Sequence, residues 1–170
     1  PEALENEPNP SPTTAQPIAL PRIVNGRIDP PGDVDLFRFE GRAGDRIIAE
    51  VQARRLNSPL DSVLKLTDAK GASVAFNDDY DDKGAGLTTH HADSYLAVTL
   101  PADGTYYVQL SDAQRKGGIE YGYRLRVSQP RPDFALRVVP SSINARPGGT
   151  IPLTVYALRR DGFSNNITLK

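Results

Sequence analysis

Short runs of alternating apolar and polar residues fill the chain between residues 22 and 128, and this pattern limits its possible folds more than any other feature. Gly, Pro, Asp and Asn separate the runs, and no apolar stripe with a helical period of useful length interrupts them. Successive side chains of a strand point to opposite faces, so each run can bury one face and expose the other. The chain is therefore predicted to be all-β.

Eight strands are predicted in this region, at 22–28, 34–40, 46–53, 62–67, 73–76, 94–100, 105–111 and 120–128. This number favours a two-sheet antiparallel sandwich of the jelly-roll type. The period of two also predicts which side chains face the core. These are Phe37, Phe39, Ile47, Ala49, Val51, Leu64, Leu66, Leu96, Val98, Leu100, Tyr106, Val108, Leu110, Tyr123, Leu125 and Val127.

Composition divides the chain into three parts. Residues 1–21 hold six prolines among acidic and small polar residues, which predicts a strap or linker, and residues 22–129 form the sandwich. The prolines at 130 and 132 end it, because proline cannot continue a central strand. Residues 130–170 are predicted to begin an incomplete immunoglobulin-like segment, with strands at 134–139, 151–158 and 166–169. Since the chain lacks Met and begins with Pro1, we expect it to be a segment of a longer polypeptide.

Charge and cysteine content exclude several classes of function. The 20 Lys and Arg residues nearly balance the 21 Asp and Glu residues, so no net field favours nucleic acid or an anionic membrane. The absence of Cys excludes disulfides, zinc–thiolate sites and cysteine nucleophiles. Exported domains without disulfides are often stabilised by a bound metal instead.

Two acidic alternations have the chemistry of a calcium site. Glu5, Glu7 and Asn9 would point the same way from an extended strap, and Asp33 and Asp35 repeat the spacing at the entry to a strand. Asp35 shares the parity of the predicted core residues of its strand, so its carboxylate needs a cation or a hydrogen-bond donor. A solvated acidic linker and an Asp turn bonded to backbone amides are the alternatives.

A second group of oxygen ligands comes from three loops. Asp61, Asn77, Asp78 and Asp93 could converge at one sandwich edge and form a second calcium site. A solvated loop with Asx turns explains the same residues. His90 and His91 lie nearby, but no Gly-x-Ser-x-Gly elbow and no helical spacing of ligands accompany them. The chain is therefore predicted not to be an enzyme.

The order of the motifs resembles a known family. The residues that carry the resemblance are Glu5-x-Glu7-Pro8-Asn9, Gly26-x-Ile28, Gly32-Asp33-Val34-Asp35-Leu36-Phe37-x-Phe39, Gly44-Asp45, Leu60-Asp61-Ser62, Asn77-Asp78-Asp79 and Leu100-Pro101-Ala102-Asp103-Gly104-Thr105-Tyr106. They resemble the bacterial pre-peptidase C-terminal domain, which is related to the collagen-binding domains of bacterial collagenases. The resemblance implies a jelly-roll-like sandwich in an extracellular, cell-surface or periplasmic protein. It also implies calcium ligands at Glu5, Glu7, Asn9, Asp33 and Asp35, while Pro10 replaces an Asp that is usual in collagenase straps.

Together these features predict a non-catalytic, calcium-binding accessory or adhesion module of a larger exported protein, in which calcium rigidifies the N-terminal linker. Its expected partners are neighbouring domains of the parent chain and an extracellular protein or polysaccharide, with no nucleic acid and no membrane. Tyr80, Tyr95, Tyr107 and Tyr121 are candidate contacts. The alternative is a carbohydrate-binding module of a secreted hydrolase, but such a module should present a planar row of aromatics, and this chain has no Trp. Paired carboxylates could also serve a glycosidase, although these acids lie in turn motifs.

Overall fold

A computed structural model describes residues 1–80 and 93–169. The chain divides into two compact units, Pro1–Gln129 and Pro130–Lys170. The described strands of the first unit are β1 Glu2–Leu4, β2 Gln16–Pro17, β3 Arg22–Arg27, β4 Val34–Gly41, β5 Arg46–Gln52, β6 Ser62–Asp68, β7 Ser73–Asn77, β8 Tyr95–Thr99, β9 Gly104–Asp112 and β10 Gly122–Ser128. The eight strands predicted between residues 22 and 128 all form, and their ends lie within two residues of the predicted ones.

The first unit is a sandwich of two five-stranded sheets. One sheet has the order β1-β3-β10-β5-β8 and the other has the order β2-β4-β9-β6-β7. Adjacent strands are antiparallel except at one edge of each sheet, where β1 runs parallel to β3 and β2 runs parallel to β4. The predicted all-β sandwich is confirmed, and the two parallel edge pairs make both sheets mixed.

The N-terminal strap is part of the sandwich rather than a free linker. Its first strand, β1, pairs with one sheet, and its second strand, β2, pairs with the other. Ala15 and Ile18 are buried, and Gln16 uses its amide to bond the main chain of Leu4 and Asn6. The strap predicted as a linker therefore docks through strand pairing and buried side chains. Strands of three and two residues are too short to show a period in the sequence.

The core lies between the two sheets and has the predicted composition. Of the predicted inward-facing residues, all are buried except Val98, which is half-buried against the core. Phe39 and Tyr106 stack across adjacent strands with ring centroids 5.8 Å apart. A carboxylate shares this face in β4, because Asp35 has the same parity as Phe37 and is 0% exposed.

The second unit contains a β-hairpin of β11 Asp133–Val139 and β12 Thr154–Arg160. The strand predicted at 166–169 is not formed. Phe134 and Phe163 pack with centroids 5.0 Å apart, while Val138 and Val155 remain exposed. In residues 1–80 and 93–169, no helix is long and apolar enough to cross a membrane.

Candidate metal site

Three carboxylates meet where the strap passes β4. Glu5 and Glu7 lie between β1 and β2, and Asp35 is the second residue of β4. One oxygen from each of the three lies within 4.8 Å of the others. Asp35 is fully buried, Glu5 is half-buried and Glu7 is exposed, so the cluster leads from solvent to the core. The structure thus brings together three of the five predicted ligands of the first site.

The buried carboxylate of Asp35 is only half satisfied. Its Oδ2 accepts a hydrogen bond from the Tyr123 hydroxyl at 2.6 Å. Its Oδ1 is buried and has no hydrogen-bond partner within the part of the chain that the structure describes. An unpaired polar atom in the core destabilises the folded state, since it has lost its water and gained nothing. A cation beside Oδ1 would remove this defect.

Tyr123 links the two sheets at this site. Its hydroxyl lies 2.7 Å from Glu5 Oε1 as well as 2.6 Å from Asp35 Oδ2. A phenol has one proton, so it cannot donate to both carboxylates, and the second contact needs another proton or a cation. The sequence placed Tyr123 in the core but missed this role. This role could have been anticipated from the predicted burial of Tyr123, because a buried tyrosine hydroxyl normally has a hydrogen-bond partner.

The electrostatics of the cluster favour a cation. Burial, followed by the neighbouring Glu5 carboxylate, raises the pKa of Asp35 from 3.8 to about 10. Burial also raises the pKa of Glu7, with further repulsion from Glu5 and Asp33. Burial and then Asp35 raise the pKa of Tyr123 well above its usual value. In the described residues, none of the ion pairs involves these carboxylates. Hard oxygen ligands of this kind suit calcium.

The other two predicted ligands hold the cluster in place. Asn9 is fully buried, its side-chain amide donates to Glu5 Oε1 at 3.2 Å, and its main-chain N–H donates to Glu7 Oε2 at 3.0 Å. Leu36 of β4 donates its N–H to the main-chain oxygen of Asn9 at 3.1 Å. Asp33 lies beside the cluster, and its carboxylate accepts two backbone N–H groups. Both residues thus connect the strap and its neighbouring loop to β4.

Gly26 of β3 provides the space for this arrangement. A Cβ atom at this position would lie 2.5 Å from Glu5 Oε2 and 2.5 Å from the Tyr123 hydroxyl. Glu5 Oε2 also accepts the N–H of Arg27 at 2.9 Å, so the carboxylate is held against β3. Any larger residue at 26 would displace Glu5 or Tyr123.

The predicted second site is not brought together in the same way. Among the described residues, Asp61, Asp78 and Asp93 do not form a carboxylate cluster like that of the first site. Asp93 is fully buried and accepts the backbone N–H groups of residues 53, 54 and 55 and the Nε–H of Arg55 at 2.7 Å. The Asn77 side-chain oxygen accepts the N–H of Tyr95 at 2.9 Å. These contacts fix a short turn and a strand end, and the sequence did not reveal them.

The candidate partner-binding tyrosines are less exposed than expected. Tyr80, Tyr95, Tyr107 and Tyr121 are all half-buried, and Tyr80 packs edge-on against Tyr95 with centroids 5.6 Å apart. These contacts resemble ordinary packing more than an open aromatic platform. His90 and His91 lie outside the described residues.

Residues 33–112, which run from the loop before β4 to the end of β9, match the family model of the bacterial pre-peptidase C-terminal domain. The chain contains a pre-peptidase C-terminal domain. The "Probable subtilase-type serine protease" of Deinococcus radiodurans is 40% identical over 108 residues, which cover 62% of this chain. The match spans only 14% of that relative. A pre-peptidase C-terminal domain is a non-catalytic accessory module of a larger protein.

The fold has a counterpart among solved structures. This chain aligns with the crystal structure of the pre-peptidase C-terminal domain of a Bacillus anthracis collagenase. The alignment covers 73% of this chain and 100% of the collagenase domain, with a TM-score of 0.52 and 15% sequence identity. A periplasmic inhibitor of g-type lysozyme from Aeromonas hydrophila covers 75% of this chain and 98% of the inhibitor, with a TM-score of 0.49 and 15% identity. Because the identity is only 15%, the similarity to the collagenase domain supports the fold of this chain and carries no information about its ligands.

Proposed function

We propose that the first unit is a calcium-dependent accessory module of a larger exported protein. The observation that carries the proposal is the buried Asp35 Oδ1, which has no described partner and lies in a cluster with Glu5 and Glu7. These three residues would hold the ion, and its charge would offset their mutual repulsion. Asn9 and Tyr123 would orient Glu5 and Asp35 through the hydrogen bonds that they already make.

The module would be stabilised by calcium because the site joins three segments of the fold. Glu5 and Glu7 belong to the strap, Asp35 belongs to one sheet, and Tyr123 belongs to the other. An ion bound only by the folded state stabilises it by about 2.7 kcal/mol at 100 times its dissociation constant. Magnesium should stabilise less, since it requires a tighter octahedron than a flexible multi-carboxylate site provides.

Calorimetric titration of chelator-treated protein with calcium and with magnesium tests the proposal. Terbium offers a second readout, because Tyr123 lies against the cluster and can transfer excitation energy to a bound lanthanide. Glu40→Gln is a matched control, since Glu40 is an exposed carboxylate that accepts a hydrogen bond from the Thr105 hydroxyl at 2.8 Å. Melting curves of the unchanged protein that coincide in calcium and in chelator, with no calorimetric heat, would refute the calcium function.

An extracellular, cell-surface or periplasmic location is part of the proposal. It is supported by the similarity of the chain to part of a probable subtilase-type serine protease. Detection of the parent protein in culture medium, periplasm and cytoplasm by antibody tests it. Recovery of the parent protein in the cytoplasm alone would contradict this location.

A polypeptide is the favoured partner over a carbohydrate. A groove of about 470 Å³ lies on the outer face of the second sheet beside the strap, and Pro10, Pro12, Leu36, Lys65 and Gln109 are among its lining residues. None of its ten described lining residues is aromatic, whereas a carbohydrate platform needs flat rings. Binding to fibrous protein and to a glycan array separates the two classes, and the Lys65→Glu variant tests whether the groove is the binding surface.

We also propose that the hairpin of the second unit opens an immunoglobulin-like sandwich. Leu136, Val138 and Val155 form one apolar face of the hairpin and are exposed, as expected of a face that packs on another sheet. Amide hydrogen exchange provides the test. Strong protection of the hairpin without any added strands would argue against this assignment.

A further inference from the structure

The loop before β4 is closed by the side chain of its last residue, Asp33. Its sequence is Asp29-Pro30-Pro31-Gly32-Asp33, and the N–H of Asp33 donates to the main-chain oxygen of Pro30 at 3.1 Å. Gly32 has a φ of +86°, a conformation that suits the third position of a type II turn. The turn therefore depends on glycine at 32 and ends at Asp33.

Both carboxylate oxygens of Asp33 are used inside this loop. Oδ2 accepts the N–H of Asp29 at 2.9 Å, and Oδ1 accepts the N–H of Val34 at 2.9 Å. The carboxylate thus ties the residue before the turn to the first residue of β4. Asp33 is not among the three carboxylates whose oxygens lie within 4.8 Å of one another.

Asp35 follows this closed loop by a single residue. β4 begins at Val34, so the position of Asp35 depends on how the loop ends. We propose that Asp33 is a positioning residue of the calcium site and not one of its ligands, and that it acts by fixing the loop from which Asp35 enters the site. This inference rests on the proposed calcium function. It assigns Asp33 a different role from Glu5, Glu7 and Asp35, although all four residues are acidic.

The two roles predict opposite effects in the protein without calcium. A ligand carboxylate adds repulsion to an unfilled site, so replacing it with a neutral residue should leave the melting temperature unchanged or raise it. A loop-closing carboxylate holds two backbone amides, so its removal should lower the melting temperature. Mutation of a residue that orients metal ligands without binding the ion typically weakens metal affinity by about 10-fold to 100-fold.

The test compares Asp33→Ala, Asp33→Ser and Asp35→Asn with the unchanged protein, in chelator and in calcium. We expect Asp33→Ala to melt at a lower temperature in chelator and to bind the same number of calcium ions, with an affinity about 10-fold to 100-fold weaker. A serine hydroxyl can accept a backbone N–H as aspartate does, so Asp33→Ser should recover part of both losses. Asp35→Asn should lose calcium binding altogether.

Three results would overturn the positioning role. Loss of calcium binding in both Asp33 variants, with no lower melting temperature in chelator, would make Asp33 a ligand. An unchanged affinity in Asp33→Ala, with a lower melting temperature, would leave Asp33 a purely structural role. Equal affinities for the Ser and Ala variants would show that the hydrogen bonds are not what matters. If the unchanged protein binds no calcium, the proposed function itself fails.

Discussion

Replacing Asp35 with Asn should change stability in opposite directions with and without calcium. The substitution keeps the shape of the side chain and removes its charge. Without calcium, the pKa of Asp35 is about 10 in the folded protein, so the buried group carries a proton at neutral pH. Each pH unit between its ordinary value of 3.8 and pH 7 costs the folded state about 1.36 kcal/mol, which gives about 4 kcal/mol in all. Asn avoids this cost.

The expected gain for Asp35→Asn in chelator is therefore between about 1 and 4 kcal/mol, where 4 is the full protonation cost and the lower figure allows for an imperfect amide fit. In calcium, the unchanged protein gains about 2.7 kcal/mol at 100 times the dissociation constant, and the variant should gain nothing. Thermal melting followed by tyrosine circular dichroism measures both changes in stability. In a unit of this size, each kcal/mol should shift the melting temperature by about 3 °C.

The matched control is Asp29→Asn, because Asp29 is a half-exposed carboxylate that pairs with Arg27 through its side chain. An exposed pair of this kind contributes at most about 1 kcal/mol, so this control should respond to calcium as the unchanged protein does. If Asp35→Asn is less stable than the unchanged protein in chelator, the argument from the burial and protonation of Asp35 is wrong. Retention of the full calcium response would show that Asp35 holds no ion.

Three further predictions follow from the same contacts. The calcium-free protein should lose stability as pH rises from 5 to 8. Because the folded state raises the pKa of Asp35, the contribution of this group to the free energy of unfolding is complete below about pH 3.8 and is lost by about pH 10. Melting temperatures measured at several pH values in chelator should show this decline, and Asp35→Asn should flatten it. Gly26→Ala should weaken calcium binding by displacing Glu5 or Tyr123. Gly71→Ser is strained by a φ of +80° but meets no atom within 4 Å, so it can lower stability and should leave the calorimetric affinity unchanged. Asp93→Asn should destabilise the protein by about 3 kcal/mol because it breaks the ion pair between the buried Asp93 and Arg55. Calcium should still stabilise this variant by as much as it stabilises the unchanged protein. Loss of that calcium-dependent stabilisation in denaturant titrations would place an ion at Asp93.

The sequence predicted the parts of the fold that follow from local periodicity. The strands around Val108 and Leu125 bury alternate residues, so their extent and buried face follow from the pattern alone. Glu5 and Glu7 were predictable for the same reason, because alternate residues of an extended strap point the same way.

The missed features depend on contacts between distant residues. Tyr123 meets Glu5 across 118 positions, and Asp93 meets the amide of Ala53 across 40 positions. No local pattern marks such partners. The roles of Asp33 and Asp35 are also indistinguishable from spacing, since only the three-dimensional structure shows which carboxylate faces backbone amides and which has an unpaired oxygen.

The parallel pairing of the strap has a consequence for colloidal stability. β1 covers the open side of β3 and β2 covers the open side of β4, so one strap hides an edge of both sheets. A strap that detached would expose two rows of unpaired backbone groups, which are templates for pairing with other chains. The acidic cluster lies between β1 and β2, at the midpoint of this cover. Repulsion among its carboxylates would make this point the weakest part of the cover, while the paired strands and the buried Ala15 and Ile18 hold the rest in place.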